Sequence, residues 1–360
     1  MKRLYRAALI ASEYHREPRR SDVLVEGDRI IGVAESIEGV EGAMVIDCTG
    51  QILLPSLFDV HVHAREPGRE DKETIQSCSE AAINGGVTGL VLQPNTSPAI
   101  DSAAAVQNVL DIAREKSRIW PTLFSSGAIT KGRKGEELAA IAGMKGRGVA
   151  YLTDNGDPVA NPQVLRRAME YARQFDLTLA SHCEVKELSG KGSMHEGSIS
   201  YSLGLQGIPS ISEEIGIARD IRIAEYVDVH LHIQQVSTEK GMNTIRRAKD
   251  RGIRVTCEVS PHHLIFNHQD IGNYDTHYKV NPPLRTEADN AALLQGLIDG
   301  VFDVIATDHA PHTDYEKDAQ DRNDDEAYAR EEVFRRMQAR AAPLRLCYLN
   351  LMLTVMRPAS

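Results

Sequence analysis

The sequence lacks the features that mark several classes of protein. It has five cysteines in 360 residues, none close to another along the chain, which indicates reduced thiols in a cytosol rather than a disulfide framework. It also has no excess of basic residues, because 41 Lys and Arg stand against 51 Asp and Glu, a net charge of −10. A protein this acidic is a poor candidate for binding a nucleic-acid backbone.

Long hydrophobic runs are missing as well. The most apolar stretch near the C-terminus, residues 346–356, contains Asn350 and is too short to cross a bilayer. The N-terminus runs from basic residues through a short, weakly apolar patch to Glu13, which does not fit a signal peptide. We therefore expect a cytoplasmic protein that binds neither membrane nor nucleic acid.

The composition is that of a folded globular protein, with 42% hydrophobic and 26% charged residues. A length of 360 residues favours about two domains or one large α/β domain. The first fifty residues predict short β structure. Residues 22–26 and 29–33 flank a Gly-Asp turn and predict a hairpin, and residues 44–48 predict a further strand.

From residue 52 onward, apolar strands alternate with helical segments. This alternation is typical of parallel βαβ units, and eight strands is the number in a (β/α)8 barrel, whose chemistry lies at the carboxyl ends of its strands. We therefore predict an α/β fold with a TIM-type barrel. The predicted strands are residues 52–60, 87–92, 121–125, 148–152, 177–181, 229–234, 253–259 and 303–307. Helical patterns fall between these strands, for example in residues 71–84, 103–115, 162–175, 239–251 and 287–296.

The strongest chemical signal lies at the end of the first predicted barrel strand. Asp59, His61 and His63 alternate along this strand, so their side chains point to the same face. Two imidazoles at a strand end form half of a metal site, although a bare His-x-His is about as often a pair of structural histidines. Imidazole and carboxylate ligands suit zinc, and a carboxylate can bridge two ions. Further candidates follow the fourth, fifth and eighth strands: Asp154, His182 and Asp308.

Seven motifs occur along the chain in a fixed order. They are His61-Val-His63-Ala-Arg65-Glu-Pro-Gly, Gln93-Pro-Asn95-Thr, Thr153-Asp154-Asn-Gly, Ser181-His182-Cys-Glu, Ser260-Pro-His-His-Leu, Lys279-Val-Asn281-Pro-Pro-Leu-Arg and Ala306-Thr-Asp308-His-Ala-Pro-His312. Together they resemble type I dihydroorotases of the cyclic amidohydrolase superfamily, over residues 1 to about 318. The resemblance implies a zinc-bearing barrel beside a small β-sandwich domain. It also implies reversible cyclisation of N-carbamoyl-L-aspartate to dihydroorotate in pyrimidine biosynthesis.

The resemblance implies roles for individual residues. His61 and His63 would hold a first zinc ion together with Asp308, and Asp154 would bridge to a second ion held by His182. Asp308 would also act as the catalytic base and then as the acid. The implied substrate contacts are His63, Arg65, Asn95, Asn281 and His312.

Two alternatives remain open. The first is a related cyclic amidase of the allantoinase or hydantoinase type, but these relatives typically bridge their metals with a carboxylated lysine. Asp154 favours a dihydroorotase instead, as does Arg65, whose planar donor fork suits a substrate carboxylate. The second alternative is a catalytically impaired dihydroorotase-like subunit that supports aspartate transcarbamoylase.

Gln235 favours that second alternative. It stands where the family has a zinc-binding histidine after the sixth strand, and an amide oxygen is a weak zinc ligand compared with imidazole. His232 lies three residues earlier on the strand and therefore faces the opposite way. The first zinc site is thus intact in sequence, whereas the second depends on Gln235.

The C-terminal stretch departs from the family. After Asp318 the Pro-Phe-Gly segment and the closing strands expected for the family are not recognisable in the sequence. Residues 335–345 are rich in Arg and Ala. An altered reading frame and a divergent short tail explain this equally well. We predict a small β domain in residues 1–52, mainly N-terminal because its C-terminal part is shortened, a barrel in residues 53–318, and a divergent or truncated tail in residues 319–360. The chain is also a candidate for assembly into a homo-oligomer.

Overall fold

The computed structural model of the chain describes residues 1–12, 15–116, 121–272, 274–313 and 316. Backbone contacts divide the chain into two compact units, with a division after Ser56. The boundary after residue 52 stays a prediction, and the predicted tail, residues 319–360, lies outside the described residues. Within the described part, no helix is long and apolar enough to cross a membrane.

The first unit is a mixed β-sheet. The hairpin predicted around Gly27 is confirmed, since Glu26 pairs with Arg29 in an antiparallel ladder. The buried carboxylate of Asp22 accepts hydrogen bonds from the backbone N–H groups of Ala7 and Ile37, at 2.8 and 3.0 Å. The sheet order is β3-β2-β1-β4, with β5 also paired to β1, and the strands are β1 (Lys2–Ser12), β2 (His15–Glu26), β3 (Arg29–Ala34), β4 (Met44–Asp47) and β5 (Ile52–Leu53).

The second unit contains parallel strands connected by helices. Its strands are β6 (Leu57–Val62), β7 (Val87–Leu92), β8 (Thr122–Ser125), β9 (Leu179–His182), β10 (Met194–His195), β11 (Gly207–Ile208), β12 (Leu231–Gln234), β13 (Val255–Val259) and β14 (Val304–Ile305). Strands β10 and β11 pair only with each other in a separate short ladder. The remaining strands form two parallel ladders, in the orders β6-β7-β8 and β14-β13-β12-β9.

Single parallel bridges join the two ladders into a ring. Leu152 bridges Gly127, just beyond β8, to Leu179 of β9. Val62 of β6 bridges to His309, just beyond β14. The ring therefore has eight parallel members, the arrangement of a (β/α)8 barrel, and the predicted fourth strand is reduced to the Leu152 bridge.

The helices outside a barrel each bury one apolar stripe against the strands. Helix α4 (Pro162–Gln174) shows how the sequence produces such a helix. Its N-cap Asn161 accepts a hydrogen bond from the Gln163 N–H, and proline occupies the first turn, where its missing donor costs nothing. Its buried residues recur at helical spacing: Leu165, Ala168, Met169 and Ala172.

The other helices alternate with the barrel strands as predicted, and one long helix was not among the examples named from the sequence. That helix is α7 (Ser210–Val227), and its buried face includes Glu213 and Asp220. The other α-helices are α1 (Ile75–Asn84), α2 (Ala103–Lys116), α3 (Ile141–Lys145), α5 (Lys186–Ser189), α6 (Ser198–Leu203), α8 (Glu239–Asp250), α9 (Pro261–Ile265) and α10 (Glu287–Ile298). Short 3-10 turns cover Lys131–Arg133, His268–Ile271 and Thr276–Tyr278.

Candidate metal centre

Three predicted ligands meet where the first and last barrel strands adjoin. His61 lies in β6, His63 follows it, and Asp308 follows β14; the backbone N–H of His63 donates to the carbonyl of His309 at 2.7 Å. The Nε2 atoms of His61 and His63 lie 3.5 and 3.2 Å from Asp308 Oδ1. All three residues are buried, and one ligand atom from each lies within 4.8 Å of the others.

The second nitrogen of each histidine faces an acceptor. His61 Nδ1 lies 2.5 Å from Glu258 Oε1, and His63 Nδ1 lies 2.9 Å from Asn95 Oδ1. A proton on each Nδ1 leaves the Nε2 lone pair available for a metal, the usual arrangement of metal-binding histidines. His61 Nε2 is buried and has no hydrogen-bond partner, an arrangement that is costly unless another group satisfies the atom. The donor set therefore fits a divalent cation.

The surroundings act differently on the two histidines. Burial by itself would lower the pKa of His61, but the charge of Glu258, its hydrogen bond and the charge of Asp308 raise it to about 9. Burial by itself would raise the pKa of Glu258, but the charge of His61 and hydrogen bonds from His232 and His61 lower it to about 2. Burial also lowers the pKa of His63 to about 4, against the opposing effect of Asp308. A neutral imidazole is the form that binds metal, so His63 is in that form at neutral pH, whereas a metal ion has to displace a proton from His61.

Left-handed backbone conformations are found at three positions of the site. Arg65, Gln235 and Asp308 have φ angles of 61°, 52° and 52°. Such angles are uncommon for residues other than glycine, and those that persist are often at functional sites. Each of the three residues follows the end of a barrel strand, where the left-handed turn directs its side chain over the mouth of the barrel.

A cavity of about 230 Å³ lies over two of the predicted metal ligands, His63 and Asp308. Most of the predicted substrate contacts line it, and so do residues that sequence reasoning did not identify. The lining residues are His63, Arg65, Asn95, Asn155, Gly156, Asp157, Gln235, Asn281, Asp308 and Ala310.

Arg65 is held at this cavity by its own hydrogen bonds. Its Nε donates to the carbonyl of Pro311 at 3.2 Å, and its Nη2 lies 3.0 Å from His312 Nε2. Because a guanidinium can only donate, His312 Nε2 accepts, and its Nδ1 proton faces Glu316 Oε2 at 3.0 Å. His312 thus supports Arg65 and is not among the residues that line the cavity.

The predicted second set of ligands is arranged differently. Asp154 Oδ1 accepts from the backbone N–H groups of Ile129 and Thr130 at 2.8 and 3.2 Å, and Oδ2 accepts from the Thr130 hydroxyl. His182 Nδ1 lies 2.9 Å from Gln235 Oε1, and the Asn155 amide lies 3.3 Å from the same oxygen. The structure does not bring Asp154 or His182 together with His61, His63 and Asp308 in one ligand group.

The loop that carries Gln235 is anchored by a buried carboxylate. Glu213 of α7 accepts from the backbone N–H groups of Ser237 and Thr238, both at 3.0 Å. It also accepts from both hydroxyls, and Arg285 Nη2 lies 3.5 Å from its Oε2. The backbone two and three residues beyond Gln235 is therefore fixed by several hydrogen bonds to Glu213.

Sequence reasoning missed Glu258, which contacts His61 directly. The signal that could have identified it is an acidic residue inside a largely apolar strand, Val255–Val259, whose one other polar residue is Thr256. The side chain of Glu258 is fully buried, and acidic residues are almost never fully buried without a partner.

Solved structures resemble this fold at low sequence identity. The L-hydantoinase (dihydropyrimidinase) from Arthrobacter aurescens aligns with a TM-score of 0.75 at 20% identity, covering 88% of this chain and 71% of that one. The dihydropyrimidinase from Brevibacillus agri aligns with a TM-score of 0.73 at 22% identity, covering 91% and 73%. At such identities these likenesses concern the fold alone.

Sequence relatives are much closer. A dihydroorotase of Syntrophotalea carbinolica is 44% identical over 322 residues, which is 89% of this chain and 75% of that protein. A dihydroorotase of Pelotomaculum thermopropionicum is 43% identical over 320 residues, covering 89% and 74%. The dihydro-orotase-like family model matches residues 50–241. By these matches the chain belongs to the dihydroorotase family of the cyclic amidohydrolase superfamily.

Proposed function

We propose that this chain is a zinc-dependent dihydroorotase that interconverts N-carbamoyl-L-aspartate and dihydroorotate. Membership of the family and the names of the relatives support this reaction. The observation that carries the proposal is the group of His61, His63 and Asp308 beneath a cavity that Arg65 also lines.

His61, His63 and Asp308 would hold the metal ion through two imidazole nitrogens and one carboxylate oxygen. A zinc ion bound there polarises an amide carbonyl and lowers the pKa of a bound water to about 7. In ring opening, Asp308 would take a proton from the attacking water and deliver it to the ring nitrogen that leaves. In ring closure the same carboxylate would move the protons in the opposite direction.

Arg65 would bind the carboxylate that both the open and the cyclic compound carry. Its guanidinium can donate two parallel hydrogen bonds to a carboxylate, and its contacts with Pro311 and His312 fix its direction beforehand. The amides of Asn95 and Asn281, which also line the cavity, would supply further polar contacts to the substrate. Fixing the substrate in this way lowers the entropy cost of reaching the reactive geometry.

We further propose that one zinc ion per chain is bound. Both oxygens of Asp154 accept hydrogen bonds from Ile129 and Thr130, and His182 faces the weakly ligating amide oxygen of Gln235. A second ion would therefore have to displace existing hydrogen bonds before it gained ligands.

The test is a dihydroorotate hydrolysis assay with zinc analysis on the full chain. We expect turnover, about one zinc ion per chain, and loss of both in the variant His61→Ala. An Arg65→Met variant should keep the zinc but bind substrate poorly. Zinc binding without any turnover would exclude the proposed activity.

A catalytically impaired subunit that supports aspartate transcarbamoylase is the second candidate, and Gln235 is the observation that favours it. The same assay, repeated with purified aspartate transcarbamoylase, separates the two candidates. Turnover by the isolated chain supports the enzyme. Turnover only in the mixture, or a gain of transcarbamoylase activity without turnover, supports the subunit.

A further inference from the structure

A line of polar side chains runs through the interior of the barrel and ends at the metal ligand His61. His61 belongs to β6, whose neighbours in the ring are β7 and β14, whereas Glu258 belongs to β13. Their 2.5 Å contact therefore crosses the inside of the ring. The side chains of both residues are fully buried.

The line continues behind Glu258 toward the opposite end of the strands. Glu258 Oε2 lies 3.1 Å from His232 Nε2, and His232 Nδ1 lies 2.9 Å from the Thr256 hydroxyl. The same hydroxyl lies 3.1 Å from His230 Nε2, and His230 Nδ1 lies 2.9 Å from the hydroxyl of Thr178. Five successive hydrogen bonds thus connect Thr178 to His61.

When His232 carries a single proton, the chemistry of these groups allows one consistent set of proton positions. A carboxylate only accepts, so Glu258 takes protons from His61 Nδ1 and from His232 Nε2. The other nitrogen of a neutral His232 then accepts from Thr256, whose oxygen accepts from His230 Nε2. His230 Nδ1 in turn accepts from Thr178. Every donor therefore points toward Glu258, and hydrogen bonds that are aligned in this way strengthen one another.

We propose that His232, acting through Glu258, is a positioning residue for the metal ligand His61. With its second oxygen held by His232, the Glu258 carboxylate keeps its first oxygen directed at His61 Nδ1. This contact keeps the proton on Nδ1 and the imidazole plane fixed, so that Nε2 faces His63 and Asp308. His232 is thus not a metal ligand, but it determines how well a ligand binds.

The neighbouring side chains support this assignment. Gln234 Nε2 lies 3.4 Å from His61 Nδ1, but an amide nitrogen only donates, and the Gln234 oxygen already accepts from the Thr153 hydroxyl at 2.7 Å. Gln234 therefore does not replace Glu258 as the acceptor of the Nδ1 proton. The backbone N–H of Gln235 donates to Glu258 Oε1 at 3.3 Å. Glu258 therefore contacts both β6 and the end of β12, and among these contacts His232 is the side chain that holds its second oxygen.

The test measures zinc affinity by competition with a chromogenic chelator, independently of turnover. Loss of groups that orient metal ligands typically weakens metal binding 10- to 100-fold. We expect Glu258→Gln to weaken zinc binding about 100-fold and His232→Leu about 10-fold. His232→Gln should restore most of the affinity, because its amide N–H can still donate to Glu258. His230→Leu, one step farther along the line, should have a smaller effect than His232→Leu.

A matched control uses a buried histidine outside the line. His268 is buried and packs against His195, with ring centroids 5.1 Å apart, and His268→Leu should leave zinc affinity unchanged. In zinc-loaded protein labelled with 15N-histidine, the NMR signal of the His61 Nδ1 proton should shift in His232→Leu and not in His268→Leu. Thermal unfolding of every variant shows whether the fold is retained.

The inference rests on the proposed metal site, and the outcomes separate the two. Zinc binding without dihydroorotate turnover would overturn the proposed function and leave the positioning role standing. A His232→Leu variant with the zinc affinity and His61 signal of the parent would overturn the positioning role. Equal losses in His232→Leu and His232→Gln would also overturn it, and so would a parent chain that binds no zinc.

Discussion

The two halves of the predicted binuclear centre differ in where their ligand atoms point. In the first half, His61 and His63 turn their Nδ1 atoms to acceptors and their Nε2 atoms toward Asp308. In the second half, the oxygens of Asp154 accept hydrogen bonds from Ile129 and Thr130. The comparison teaches that a ligand-type residue becomes a ligand only where the fold leaves its donor atom to the metal.

The largest expected difference between the halves is in activity. Asp308→Asn should reduce dihydroorotate turnover about 10²- to 10⁴-fold, because the amide cannot accept and return a proton. Asparagine tolerates the left-handed backbone at this position, so the fold should persist. The matched change Asp154→Asn should cause a far smaller loss. Equal losses in kcat for the two variants would remove the proposed distinction.

The next test introduces a stronger zinc ligand into the second half of the predicted centre. Gln235→His should raise bound zinc from about one toward two ions per chain, because imidazole is a far better zinc ligand than an amide. Histidine is among the residues that adopt positive φ most readily, and φ at this position is 52°. Gln235→Asn serves as control, and elemental analysis after gel filtration gives the stoichiometry. An unchanged zinc content in Gln235→His would show that the position is not a ligand position.

Activity measured against pH can compare the two halves of the predicted centre only if acid unfolding is distinguished from loss of metal. His263 is expected to contribute to acid unfolding. Burial lowers its pKa to about 4, so between pH 6.5 and 4 the unfolded chain binds a proton that the native protein does not. Stability should therefore fall as the pH decreases through this range, by at most about 3 kcal/mol from this group.

His263→Gln should reduce that pH dependence, because glutamine does not titrate and can still donate to the Pro282 carbonyl, which lies 2.9 Å from His263 Nε2. Urea unfolding of zinc-free protein from pH 4 to 7 gives the free energies of unfolding. His277→Gln, at a half-buried residue bonded locally to Asp275, is the control. The expectation fails if both variants follow the pH profile of the parent.

The smallest expected effect concerns the hydrogen bonds that occupy Asp154. Thr130→Val removes the hydroxyl that donates to Asp154 Oδ2 and should lower the free energy of unfolding by about 1–3 kcal/mol. Turnover and zinc content should remain those of the parent. Thr244→Val, at a half-buried position of α8 whose hydroxyl bonds within the helix to the Lys240 carbonyl, should change stability by less than about 0.5 kcal/mol. A loss of zinc in Thr130→Val would show that zinc binding in the first half depends on Asp154 in the second half, and would contradict the proposed distinction.

Much of the fold could be predicted because local pattern and tertiary packing agree. Strand β7 and helix α4 have the apolar run and the helical spacing that their sequences indicate. Helix α7 is not marked by a clear pattern in the sequence, because its buried face contains Ser212, Glu213 and Asp220 and hydrophobic periodicity is weak there. The predicted fourth strand is only the Leu152 bridge, because an apolar run does not reveal how much of the backbone finds a partner.

The candidate site could be predicted only in part for a related reason. Alternation along one strand places His61 and His63 on the same face, and the position after the last strand brings Asp308 beside them. The contact between Glu258 and His61 crosses the closed ring, so no local pattern contains it. The occupation of Asp154 by Thr130 likewise depends on how two loops meet, and the motif around Asp154 does not show it.

The bridge between Val62 and His309 has a consequence for the order of events during synthesis. It joins segments that lie far apart in the chain, and His63 and Asp308 flank it. A ribosome-bound chain that has not yet exposed β14 therefore carries two of the three ligands and no complete site. If the three residues hold a metal ion as proposed, its capture follows the pairing of the last barrel strand with the first. A bound ion then stabilises that closure by about 2.7 kcal/mol when free metal is 100 times the dissociation constant.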